Sequence, residues 1–404
     1  MPKPNETIPF FSYGFRPFFL GAATYAVVAM ALWLAWLAIH AANASLDWIS
    51  ISGPPHIWHA HEMVFGFAMA AVAGFLLTAV PNWTGALPLN GRPLVILFAI
   101  WLAGRVAMIA SAFVPASLVA PVDLIFIPAL GLHVTRQLLI KPTARNLIFL
   151  AILVALFAAN TAYHLAAASV LAIETTTPIR AGLLTIVIVV VIIGGRIVPS
   201  FTHNHLHRTA PSAPMPYRSA SLDLVSLLST VAFALLTLYP VPGPLLAAAA
   251  ALAAVSNAVR LVLWRGFATL DSPIVWVLHL GYLWIVIGLG LWALSASTDI
   301  VSEISALHAL GTGGIGTMVL AVMSRASLGH TGRPLVAPGP LVIAYVFVSL
   351  SAALRAFGPP LVPSFYSALM ISAGLLWMAA FAIFSVIYFP ILTRPRISSG
   401  NPTA

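Results

Sequence analysis

His56-Ile57-Trp58-His59-Ala60-His61-Glu62 leads straight into an apolar run that ends near Trp83. A run of that length matches a bilayer-crossing helix, which needs roughly 20 apolar residues. This stretch decides the fold: a membrane helix with three imidazoles and a carboxylate at its mouth. Ionisable groups at such a place are costly to keep and mark a functional site by default. The plainer alternative is an interfacial rim where polar residues simply meet water.

The remainder of the chain supports the same class. Hydrophobic residues make up 61% of 404 positions and charged residues 7%, against about 45–50% and about 25% in a soluble domain. The apolar runs are long and continuous, whereas a barrel would show short alternating segments. The sequence therefore reads as an all-α polytopic membrane protein of about twelve transmembrane helices in a single transmembrane domain, 1–404. Its spans lie at approximately 17–41, 57–81, 93–113, 118–138, 146–170, 180–201, 220–239, 244–265, 272–296, 303–325, 339–357 and 364–391. Prolines and glycines punctuate most boundaries, as at Pro81, Pro142 and Pro240.

Lys and Arg orient the chain. Fifteen of the 18 fall on the face that carries the N-terminus, among them Lys3, Arg16, Arg92 and Arg333. Only Arg105, Arg180 and Arg355 lie toward the other face. The positive-inside rule makes the N-terminal face cytoplasmic and puts both termini there. Asp47, Glu62, Asp123 and Glu174 then lie outside. The formal charge of +9 follows from this loop distribution, and no nucleic acid is expected as a partner; the lipid bilayer is.

Twelve histidines outnumber nine acids, and there are no cysteines. Disulfides, thiolate metal sites and iron–sulfur clusters are excluded. His40, His56, His59, His61, His164 and His308 fall at outer ends of spans one, two, five and ten. On a regular helix His59, Glu62, Gly66, Ala70 and Ala73 share a face of small residues. His61 points along Phe65, Ala68, Val72 and Leu76, a more lipid-like stripe, so His59 ranks ahead of it. Glu62 is placed to fix a histidine ring from outside a ligand shell. His308 precedes Gly311, Gly313, Gly314 and Gly316. Glycine is unfavourable in a helix and makes sense where something bulky lies against the backbone. A non-covalent b-type haem between His308 and a span-two histidine would suit both observations; close helix packing is the alternative. His56, His61 and His164 are candidates for copper, since histidine sites without thiolate suit copper or haem iron, with zinc not excluded. Asn160 shares a face with His164.

On the cytoplasmic side His203-Asn204-His205-Leu206-His207 has metal-site spacing if extended, because all three rings would then project one way; a solvated loop is the alternative. Arg196 and Arg325 end spans six and ten. They suit haem propionates or, more simply, lipid phosphates. His279 and Tyr282 share a face inside span nine and could serve as a ligand or proton relay.

Short motifs recur. Gly14-Phe15-Arg16-Pro17 precedes span one, Gly91-Arg92-Pro93 follows span two and Gly332-Arg333-Pro334 follows span ten. With the rhyming ends of spans two, six and ten, they suggest a threefold pseudo-repeat of four helices around a central site.

Four longer stretches carry a family resemblance: Phe10-Phe11-Ser12-Tyr13-Gly14-Phe15-Arg16-Pro17-Phe18-Phe19, Trp58-His59-Ala60-His61-Glu62-Met63, Gly194-Gly195-Arg196-Ile197-Val198-Pro199-Ser200-Phe201-Thr202 and Met323 to Arg333. Together, over nearly the whole chain, they resemble the NnrS family. The resemblance implies a multi-pass protein of the bacterial inner membrane that contains haem and copper. It also implies a part in nitric oxide metabolism and protection from nitrosative stress. If the chain is an enzyme, it is an oxidoreductase acting on nitric oxide or metal-nitrosyl species, with an electron donor the sequence does not name. A weaker analogy is to haem–copper oxidases and nitric oxide reductases, which have haem histidines on spans two and ten. This chain lacks their paired histidines on span seven and the span-six histidine, and fold analogy alone gives no function. A competing class is transport or handling of a metal, haem or small anion by histidines on both faces.

Overall fold

A computed structural model describes residues 8–42 and 51–397. Lys3 and Asp47, used above for orientation, and both chain ends lie outside the described residues. Within them the chain is helical throughout, with no strand. The long helices are α1 (Phe15–Ala41), α2 (Pro55–Thr84), α3 (Gly91–Ile109), α4 (Ala116–Leu138), α5 (Ala144–Ala167) and α6 (Thr176–Thr209). They continue with α7 (Ala220–Leu236), α8 (Gly243–Leu263), α9 (Pro273–Ser295), α10 (Glu303–His330), α11 (Gly339–Leu361) and α12 (Pro363–Thr393). Eleven are long and apolar enough to cross a bilayer, and the twelfth, α7, is apolar but shorter. An all-α polytopic membrane protein is what the composition requires.

Two helices run further than their apolar stretches. α6 continues to Thr209 and α10 to His330. His203, His205 and His207 are therefore helical, not extended: the helix runs on to Thr209 through Pro199, which leaves a single gap in the hydrogen-bond ladder. Pro55 starts α2 at its first turn, where a missing N–H costs nothing, and Gly85 closes it in the left-handed region at φ 76°.

The chain divides into two compact units. The first comprises Met1–Gly182, Ala326–Pro334 and Ser385–Ala404; the second comprises Leu183–Arg325 and Leu335–Phe384. In the first, the phenylalanines that open α1 are core. Phe15, Phe18 and Phe19 are fully buried. Phe18 packs against Phe98, Trp101 and Phe126, and Phe19 lies on the bare backbone of Gly74 in α2. Between membrane helices such contacts hold by close packing and hydrogen bonds, since lipid is as apolar as the core.

Among the described residues each unit contains one π-helical segment: Glu62–Ala68 in α2 and Ala309–Gly316 in α10. Such segments shift the register of every side chain after them and are common at functional sites.

Candidate metal centre

The first unit buries a cluster of charged side chains drawn from five helices. Glu62, at the start of the π segment, accepts from Arg105 of α3 at 2.7 Å on both carboxylate oxygens. Tyr25 of α1 donates to the same carboxylate. Arg105 extends its other Nη to Asp123 of α4. Asp123 Oδ2 accepts from Asn160 Nδ2 of α5 at 2.9 Å and faces His164 Nε2, also of α5, at 2.9 Å. His61 closes the ring: Nδ1 lies 2.8 Å from Glu62 Oε1, and Nε2 lies 2.9 Å from Asn160 Oδ1 and 3.5 Å from Asp123 Oδ2. His61, Glu62 and Asp123 are fully enclosed, and only His164 reaches an edge, with 10% of its side chain exposed.

Local structure explains this convergence. Gly66 leaves room for the Tyr25 ring and the Arg105 guanidinium; a Cβ there would stand 2.6 Å from Tyr25 Cε1 and 2.9 Å from Arg105 Nη1. Trp101 donates to the Gly66 carbonyl at 3.1 Å, within the π segment. Gly104 lets α4 approach α3, since a Cβ would meet the Asp123 backbone at 3.2 Å. Asp123 sits just before the break at Ile125 that divides α4.

Charge and hydrogen bonding point to a cation. Two carboxylates against one guanidinium leave one negative charge, and a buried unpaired charge is costly. Because Asn160 donates to Asp123, it turns its oxygen toward His61. If Nδ1–H is given to Glu62, the Nε2 lone pair meets that oxygen. A positive charge at Nε2, from a proton or a metal ion, resolves both problems. His61, Asp123 and His164 each offer one ligand atom, and these three atoms all lie within 4.8 Å of one another. Two imidazoles and a carboxylate are a donor set that fits a first-row transition metal.

The structure places the other sequence candidates as follows. His59 is half-buried with its ring stacked on Trp33, 4.9 Å between centroids. His61, not His59, faces the cluster: α2 is buried nearly all round, so the stripe through Phe65, Ala68 and Leu76 meets protein, not lipid. His56 is exposed at the first turn of α2. In the second unit, His308 turns Nδ1 back to Ile304 O at 2.8 Å. Its glycine run leaves no slot at three positions, because Gly313, Gly314 and Gly316 lie against Trp284, Ile285 and Trp377.

The His203 run is split by helical phase. His203 and His207, four apart, stack 6.0 Å apart on the exposed side, while His205 is buried and meets Asp271 at 3.0 Å. Arg325 lies over the Phe201 ring at 3.9 Å. Arg196 ends up half-buried, directly after Gly194, against which the Tyr282 ring packs, and Gly195, which faces the Arg260 guanidinium. His279 Nε2 bonds Thr202 at 2.8 Å. Tyr282 instead accepts from Arg260 at 2.7 Å and donates to Asn257, while Arg260 Nε reaches Asp223 at 3.0 Å.

Tyr25, Arg105 and Asp123 escaped the sequence reading as site residues. Their signal was present: Arg105 and Asp123 are opposite charges inside apolar spans, and such charges pair.

Fold and site thus define an all-α multi-pass membrane protein with a buried histidine–carboxylate cluster inside one helical unit. The family model described as NnrS protein matches residues 9–396, nearly the whole chain, and the chain belongs to that family. Among curated proteins, none matches it.

Proposed function

We propose that this protein serves nitric oxide metabolism or protection from nitrosative stress in the bacterial inner membrane, and that His61, Asp123 and His164 hold a copper ion. The convergence of three donor atoms within 4.8 Å carries the reading. A bound copper ion would supply one-electron redox chemistry there. Nitric oxide is small and apolar enough to reach a buried site through membrane and protein. Glu62 fixes the His61 ring, Arg105 and Asn160 hold Asp123, and His164 forms the accessible edge. Any turnover would be that of an oxidoreductase acting on nitric oxide or a metal-nitrosyl species, with electrons from a separate donor.

The family resemblance also implies a b-type haem. The bed inferred for it from the α10 glycines does not fit, since Trp284, Ile285 and Trp377 occupy three of the four positions. In the transport reading His205 would act apart from His203 and His207, because helical phase separates them.

The test is metal analysis and electron paramagnetic resonance of copper-loaded protein beside His61→Ala, His164→Ala and Asp123→Asn. Stoichiometric copper in the parent, lost from these variants and kept in His308→Ala, is expected. Copper retained by His61→Ala and His164→Ala, or absent from the loaded parent, overturns the assignment.

A further inference from the structure

The recurring Gly-x-Arg-Pro and Gly-Arg-Pro motifs take no part in the metal centre. In the first unit two of them meet. Arg16, buried at the start of α1, donates from Nη1 to Leu392 O at 2.8 Å and Arg394 O at 2.7 Å, at the end of α12. The segment after α12 then crosses the loop after α10: Ile397 N donates to Thr331 O at 3.0 Å. Gly332, at φ 76°, permits that crossing; a Cβ there would stand 2.6 Å from Ile397 O and 3.6 Å from Arg396 Nε. Tyr13 and Phe15 close over His330 at 6.0 and 5.5 Å between centroids.

Four guanidinium groups, those of Arg16, Arg333, Arg394 and Arg396, are thereby drawn to one corner. Among the described residues none of them pairs with a carboxylate. Arg16 and Arg333 are close enough to feel each other's charge. Burial, and then the like charge of Arg394, pulls the Arg333 guanidinium below its ordinary range. Arg333 Nη1 is buried without a hydrogen-bond acceptor. A buried charged donor left unmade is costly, and crowded like charges add to that cost. An anion with several oxygens offers what is missing, and arginine forks match phosphate geometry. The corner lies at one end of three apolar helices, the start of α1 and the ends of α10 and α12, and basic side chains flanking apolar helices attract lipid headgroups.

We propose that Arg333 and Arg396, beside Arg16 and Arg394, form a binding site for a phosphate group, the headgroup phosphate of an anionic phospholipid or a free phosphate ion. This site is separate from the proposed copper centre.

The full chain, purified in neutral detergent, is titrated with phosphatidylglycerol, phosphatidylcholine or inorganic phosphate. Native mass spectrometry and thermal unfolding read the response, beside R333Q/R396Q and the charge-preserving R333K. Phosphatidylglycerol should be retained and raise the melting temperature of the parent. R333Q/R396Q should bind about tenfold more weakly, R333K should fall between, and copper content should stay unchanged. A response to inorganic phosphate that R333Q/R396Q abolishes upholds the site with a soluble ligand. Equal responses from the parent and R333Q/R396Q to every addition overturn the proposal.

Discussion

The two π segments begin alike and are used differently. Each follows a histidine, His61 before Glu62–Ala68 and His308 before Ala309–Gly316. In the first, the histidine is fully enclosed and the segment opens on a carboxylate that meets Arg105 and Tyr25. In the second, the histidine folds back on its own helix, and the glycines that follow receive Trp284, Ile285 and Trp377. The same backbone irregularity thus frames a charged cluster in one unit and a packed apolar seam in the other. What decides is the neighbour: α3 and α4 bring opposite charges to the first segment, and α9, with Trp377 of α12, brings bulk to the second.

The largest test of that contrast removes a guanidinium from each unit. Arg105→Leu leaves Glu62 and Asp123 buried without their guanidinium and should cost about 3–5 kcal/mol. Arg260→Leu should cost less, because Asp223 is partly exposed and keeps Arg218 at 3.2 Å. Thermal unfolding in detergent gives the order; an equal or reversed order would show that the first cluster is not the more tightly enclosed.

Next come the paired histidines. His61→Ala leaves Glu62 and Asn160 each short of a partner and should cost about 1–3 kcal/mol with loss of metal. His308→Ala should cost less and leave copper in place. Loss of copper from both would break the distinction between the segments.

Alanine at glycine probes the same contrast through space. Gly66→Ala and Gly314→Ala should each destabilise by about 1–3 kcal/mol through overpacking. Only Gly66→Ala presses on Arg105 and Tyr25, so only it should lower copper affinity in a titration. The smallest expected effect is that of His203→Ala and His207→Ala. Both rings are exposed, and stability should change by no more than about 0.5 kcal/mol, with copper retained at the first-unit site.

Much of this protein was legible in its residues. Span lengths are fixed by bilayer thickness, so the helices stood out wherever apolar runs did. The ends of α6 and α10 did not, since polar residues such as His203 and Arg325 extend a helix without marking it. His61 and His164 were visible as ligand candidates, but Asp123 and Arg105 read as charges belonging to the outer face. Helical projection ranked His59 above His61 because it assumes that a helix has a lipid side. For α2, enclosed by protein nearly all round, that assumption fails.

The amino-acid sequence by itself determined a multi-span helical membrane protein, rich in histidine and free of thiols. Composition and run length are local properties that no packing arrangement can alter. Only the tertiary structure decided which histidine turns inward, which acid meets it and which glycines are already filled. Each of those outcomes depends on what a second helix places opposite, and that partner can lie far off in sequence, as Asn160 does, 99 residues from His61.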